Sequence, residues 1–266
     1  MRQLLVINPN TSGHVSALLQ AHAQAAAGPD VQVRTVTAQF GAPYIACEAS
    51  YAVAAHALLD RWANALQDGQ PAPDAVLIGC FGDPGLFALR MGSQAPVTGL
   101  AEASFHEAAQ RGPFAVVTGG EAWKPMLERL AYSLGHAPAL AGIHTVVPSG
   151  AELASNPEAA ITLLAQACRG AAERWQVGSV VLGGAGLAGM AAAVQPHVPV
   201  TVIDSVQAGT RHALAQATTS LTKNGFAIAW EGVSNALAAL GDPEQSLSAQ
   251  GLAKKGERSF PSQFGG

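Results

Sequence analysis

The chemistry in this 266-residue chain gathers at the ends of its apolar runs. Cys80 follows Ala75-Val76-Leu77-Ile78-Gly79 and opens Phe81-Gly82-Asp83-Pro84-Gly85. The apolar run reads as a buried strand, and Gly, Asp and Pro stop it. The thiol is therefore expected at the carboxyl end of a core strand, where open α/β sheets bind ligands. A helix starting near Pro84 is expected to lower its pKa through the amino-terminal dipole. Cys80 should then alkylate faster than Cys47 and Cys168, which read as structural thiols in helical or loop-to-helix segments. Two other runs end on hydroxyls. Leu4 to Ile7 runs into Asn8-Pro9-Asn10-Thr11-Ser12-Gly13, and Phe114 to Val117 into Thr118-Gly119-Gly120. The first of these turns offers hydroxyl and backbone N–H donors to an anion, or caps a helix running toward Ala27.

The elements that must hold these turns alternate. Strands are predicted at 4–7, 31–36, 75–79, 114–118, 144–147 and 179–182. Helices are predicted through 27, through about 67, over 86–91, 100–110 and 157–175, and from 206 to about 221, with Glu121 to Pro125 opening another. Such alternation specifies βαβ units and mostly parallel sheets. The halves also repeat. A polar turn precedes a glycine turn in each, with 72 residues from Asn8 to Cys80 and 66 from Thr118 to Gly184. Pro-Val-Thr follows the glycine turn after 16 residues in one half and 15 in the other. We read a duplicated α/β unit of two pseudosymmetric lobes, each a mostly parallel sheet flanked by helices, with the active site in the cleft between them. Cys80 and Gly184 would be symmetry mates across it. The first lobe is assigned to 1–98, completed by 206–240; the second to 99–205; and 241–266 reads as a polar tail.

Composition removes several classes. With 49% apolar residues the chain can bury a real core. A net charge of -4, with 12% charged residues and no basic cluster before Lys254-Lys255, leaves no nucleic-acid footprint. No stretch reads as a signal peptide or membrane span. Three widely spaced cysteines suit reduced thiols in the cytoplasm better than a disulfide framework. No metal-binding spacing or phosphate loop is present. Gly184 to Gly189 superficially resembles a dinucleotide fingerprint, but the acidic residue that should follow on a second strand is missing. The expected partner is a small-molecule substrate, with no cofactor, in a homo-oligomer.

These residues resemble the aspartate/glutamate/hydantoin racemase superfamily, and most of all its hydantoin and allantoin racemase branch. The resemblance runs from Leu4 to about Leu221. It rests on Asn8 to Ser12, Gly79 to Gly85, Val117 to Glu121 and Leu182 to Ala188. It implies two α/β lobes around one site, no cofactor, and a pair of cysteines that take and return a proton on opposite faces of a carbon beside a carbonyl. Cys80 would be the first acid/base. Asn8, Thr11, Ser12, Pro43, Phe81, Gly82, Thr118, Gly119, Gly120 and Ala185 would bind substrate. Where the family reads Gly-Cys-Ala-Gly this chain has Gly183-Gly184-Ala185-Gly186, so the second thiol is replaced by Gly184.

Three readings accommodate that change. The chain is a racemase impaired by its missing thiol, a one-cysteine decarboxylase resembling arylmalonate decarboxylase, or a binding protein on the same scaffold. His14 and His197 are the first substitutes to consider for the second base. Asp83 is expected to order its loop or cap the next helix.

Overall fold

The strands form two separate four-stranded sheets in the computed structural model, which describes residues 1–147, 152, 156–217 and 225–241. The first sheet contains β1 (Arg2–Asn8), β2 (Val31–Thr37), β3 (Ala75–Ile78) and β4 (Val97–Gly99), in the order β2-β1-β3-β4. The second contains β5 (Phe114–Gly119), β6 (Leu140–Val146), β7 (Ser179–Gly183) and β8 (Thr201–Asp204), in the order β6-β5-β7-β8. All neighbours pair in parallel. The second order is the first with four added to each strand, which is the duplicated architecture the sequence repeat suggests.

Parallel neighbours need a crossover, here mostly a helix. These are α1 (Gly13–Ala27), α2 (Glu48–Leu66), α3 (Leu86–Gly92), α4 (Leu100–Ala109), α5 (Trp123–Ser133), α6 (Pro157–Trp175), α7 (Met190–Val194), α8 (Ser205–Gln216) and the short α9 (Asn235–Ala238). Helices on both faces bury the central strands over most of their length. Val76 to Ile78 and Phe114 to Val117 are therefore unbroken apolar runs, whereas the edge strand β2 alternates between buried and exposed residues. Helix α8 follows the last strand of the second sheet but packs on α1, α4, β3 and β4. Phe226, Ala236 and Leu237 join Trp62 and Leu58 in the core beneath the first sheet.

Two strands escape the sequence pattern. β4 and β8 are three and four residues long and lie just beyond Pro96 and Pro199, prolines that interrupt the apolar runs leading into them. β6 begins at Leu140 rather than His144 because Gly142 and its neighbours form a half-exposed edge. The Trp175 ring fills the place of a Cβ at Gly142, 2.1 Å from where that atom would stand. The predicted end of α8 and the predicted polar tail from 242 lie outside the described residues. Among those residues no helix is long and apolar enough to cross a membrane.

Candidate active site

Each sheet delivers two turns to the same place. The ends of β1 and β3, and those of β5 and β7, converge on a cavity of about 100 Å³. That is well under the roughly 300–1,000 Å³ of clefts for drug-sized ligands, so it suits a small molecule. Ser12 and Cys80 come from the first sheet's turns; Thr118, Gly119, Gly184 and Ala185 come from the second's. Pro43 and Phe81 close the apolar part of the wall. Phe81 also reaches the other lobe, since a Cβ at Gly183 would lie 2.2 Å from its ring.

The first turn is organised by Asn8, which is fully buried. Its amide nitrogen donates to Asn10 Oδ1 (2.9 Å), the Ser12 carbonyl (3.1 Å) and Ser16 Oγ (3.0 Å), and its oxygen accepts from the Asn10 N–H (3.2 Å). Asn8 thus folds the turn, and Asn10 reaches the cavity in its place. Ser12 caps α1 by accepting from the Val15 N–H at 3.3 Å. The Thr11 N–H donates to the Ala42 carbonyl at 3.1 Å and pins the loop carrying Pro43, Tyr44 and Ile45.

The thiol turn is held from both sides. Tyr51 donates its hydroxyl to the Gly82 carbonyl at 2.9 Å, and Trp123 covers Gly82. Asp83 turns away from the cavity. Its carboxylate accepts the Ala101 N–H (2.9 Å) and the Glu102 N–H (2.7 Å), capping α4. Cys80 itself is 7% exposed. Burial, followed by the Asp83 charge, pushes its pKa up. This reverses the sequence expectation of an activated thiol. The helix after it begins only at Leu86, spans seven residues and has Gly85 at its cap. Burial also raises Asp83, to about 7, against the N–H groups of Ala101, Glu102 and Gly82 that pull it down.

Gly184 stands opposite in the fold. Ile78 and Leu182 pair with the equivalent strand ends Gly99 and Asp204, so Cys80 and Gly184 each lie two residues past matching positions. Gly184 has φ 150° and ψ 130°, donates its N–H to Ser205 Oγ (3.3 Å) and accepts the Leu187 N–H (2.9 Å). That φ favours glycine, so a thiol could be installed here only with a change of backbone.

Of the expected site residues, Asn8, Thr11, Gly82 and Gly120 stand behind the wall, and the others line it. The sequence reading left out Asn10, Val15, Leu18, Tyr44, Ile45, Trp123 and Leu187 as wall residues. Asn10 lay inside a recognised turn and Trp123 just after another. Val15 and Leu18 fell inside the helix predicted to run toward Ala27. Among the described residues the wall carries no Asp, Glu, Lys or Arg side chain. His197 is absent from it, whereas His14 is present.

The family model described as Asp/Glu/Hydantoin racemase matches residues 4–213. Hydantoin racemase from Pseudomonas sp. (strain NS671) is 32% identical over 212 residues, covering 79% of this chain and 84% of its own. The structure of allantoin racemase from Klebsiella pneumoniae superposes with a TM-score of 0.81 at 29% identity, covering 91% of this chain and 99% of its own. Unliganded arylmalonate decarboxylase shares the fold, with a TM-score of 0.57 at 17% identity over 82% of this chain and 93% of its own.

Proposed function

The chain belongs to the Asp/Glu/hydantoin racemase family of isomerases, and from that premise we propose that it moves a proton at a carbon beside a carbonyl in a small, neutral, hydantoin-like ring, with Cys80 as an acid/base. The observation that carries this reading is a buried thiol on a small inter-lobe cavity whose wall has polar groups but no Asp, Glu, Lys or Arg side chain. An amino acid would bring an ammonium and a carboxylate into that space. Without partners, each ion costs several kcal/mol to desolvate. A hydantoin or ureide ring brings amide N–H and carbonyl groups instead, which Asn10, Ser12 and Thr118 can meet with neutral hydrogen bonds.

The burial of Cys80 sets its role. With its pKa raised, the thiol is protonated at neutral pH and is first a proton donor. Once it has donated, the thiolate is a strong base toward the next substrate. Polar groups around the ring carbonyls stabilise the enolate-like charge that builds between those steps, where preorganised donors act most strongly. The proton leaves and returns without any change in oxidation state.

Gly184 favours a second reading. Loss of carbon dioxide from a substituted malonate makes the carbanion without a base, and one thiol suffices to protonate it. A wall without Lys or Arg side chains opposes a dianionic malonate, which is why this reading ranks second. The test is solvent deuterium exchange into single enantiomers of a 5-alkylhydantoin and of allantoin at neutral pH, with optical rotation followed in the same tubes. We expect deuterium at the ring carbon, reduced about 10²–10⁴-fold in Cys80→Ser. Carbon dioxide release from an arylmalonate without hydantoin exchange would establish the decarboxylase. Thermal stabilisation by these ligands with no turnover would leave a binding protein.

A further inference from the structure

Helix α1 runs along the turn that carries Gly184. The two elements pack together, and a Cβ at Gly189 would lie 2.2 Å from the His22 ring. His14, Leu18 and His22 are spaced by four residues and so share one stripe of that helix. His22 meets the far end of the turn at Gly189, and Leu18 lines the cavity together with Leu187. The stripe ends at His14, in the first turn of α1, and His14 lines the same cavity as Gly184 and Ala185. His14 is exposed overall. Among the described residues, the only titratable side chains on the wall are Cys80, Tyr44 and His14. Tyr44 points its hydroxyl toward the Gly119 carbonyl, at 3.5 Å.

We propose that His14 is the second acid/base of the reaction, serving from α1 the face of the substrate that Gly184 leaves without a side chain. A neutral imidazole carries one nitrogen that can accept a proton and one N–H that can give one. The inference rests on the racemase reading above. In one direction neutral His14 takes the ring C–H proton, and the C–H electron pair moves into the adjacent carbonyl. The Cys80 S–H then breaks and its proton joins the opposite face of the same carbon. This leaves imidazolium and thiolate, and the inverted product departs. In the other direction the thiolate takes the proton and the imidazolium N–H gives one back, restoring thiol and imidazole. Neither direction needs a co-reactant.

The experiment compares wild type, His14→Gln, His14→Ala and Cys80→Ser with each enantiomer of a 5-alkylhydantoin in deuterium oxide. Exchange is read by NMR and inversion by chiral chromatography. Inversion is expected to fall about 10²–10⁴-fold in His14→Gln, while substrate still raises that variant's melting temperature, showing that the fold and site persist. Added imidazole is expected to restore part of the inversion in His14→Ala but none in Cys80→Ser. Two results overturn the role of His14 alone. One is inversion in His14→Gln at the wild-type rate; the other is wild-type exchange with full retention of configuration, which leaves Cys80 working on one face. Absence of both exchange and inversion in wild type overturns the racemase reading itself, and this inference with it.

Discussion

At the scale of single residues, the structure reverses the reactivity that sequence position assigns to the thiols. Cys47 is exposed at the cap of α2, where the Ser50 hydroxyl and N–H lower its pKa. Cys80 is raised by burial and by Asp83, and burial pushes Cys168 up to about 12. Iodoacetamide at pH 8 is therefore expected to label Cys47 first, with Cys80 and Cys168 slow; peptide mass spectrometry reads the order. Asp83→Asn removes the second cause of the Cys80 shift and leaves the first. Labelling of Cys80 should accelerate in that variant yet stay behind Cys47, and an unchanged rate would mean that the Asp83 charge does not reach the thiol. The position of Cys80 at a strand end was legible because Ala75 to Ile78 is a local pattern. Its pKa was not, because burial and the direction of the Asp83 carboxylate are set by α4, eighteen residues further along the chain.

At the scale of elements, the two lobes solve one problem with the carboxylate exchanged between two positions. Each must satisfy the N–H groups of the helix following its last strand and tie that helix to the neighbouring turn. In the first lobe the carboxylate comes from the turn: Asp83 reaches the N–H groups of Ala101 and Glu102. In the second it comes from the strand: Asp204 accepts from Val206 (2.9 Å) and Gln207 (3.0 Å) and reaches back to the Gly189 N–H (2.8 Å). The strand position matching Asp204 is Gly99, and the turn position matching Asp83 is Leu187. Gly99 is thus required by close approach, because a Cβ there would lie 2.0 Å from Asp83 Cγ. Gly99→Ala is expected to destabilise the protein by about 1–3 kcal/mol, the usual cost of forcing a group into packed space. Urea denaturation measures it, and an unchanged midpoint would show that Asp83 can vacate the site freely. The repeat was legible because strand, turn and Pro-Val-Thr recur locally. The exchange of carboxylates was not, since nothing in the sequence says that Asp83 and Gly99 share one space.

Over the whole molecule, α8 leaves the second sheet to pack on α1 and α4, and a group of histidines lies along that seam. His212 on α8 is 4.9 Å from His106 on α4, ring centre to centre, and His106 is 6.3 Å from His136 in the connection after α5. Gln110 bonds to the His106 ring (2.9 Å), Gln216 to His212 (2.8 Å), and Arg211 bridges to Glu107 (2.8 Å). Burial first, then His106, lowers the pKa of both His136 and His212; Glu102 opposes this in each, and Arg90 adds to it at His212. A lowered folded pKa means that the unfolded chain takes up these protons first as pH falls. The contribution of this pair to stability is therefore intact above the unfolded value near 6.5. It declines as pH drops below that value, until the folded pair is itself protonated. Asp83 acts in the opposite sense over part of the same range, because a carboxyl raised to about 7 favours the folded state as pH falls. The histidine contribution must therefore be read as a difference. Urea unfolding of wild type and of His136→Gln/His212→Gln, from pH 7.5 to 5, is expected to show wild type losing stability relative to the double variant toward the acid end. Parallel curves would mean that the seam accepts protons without cost.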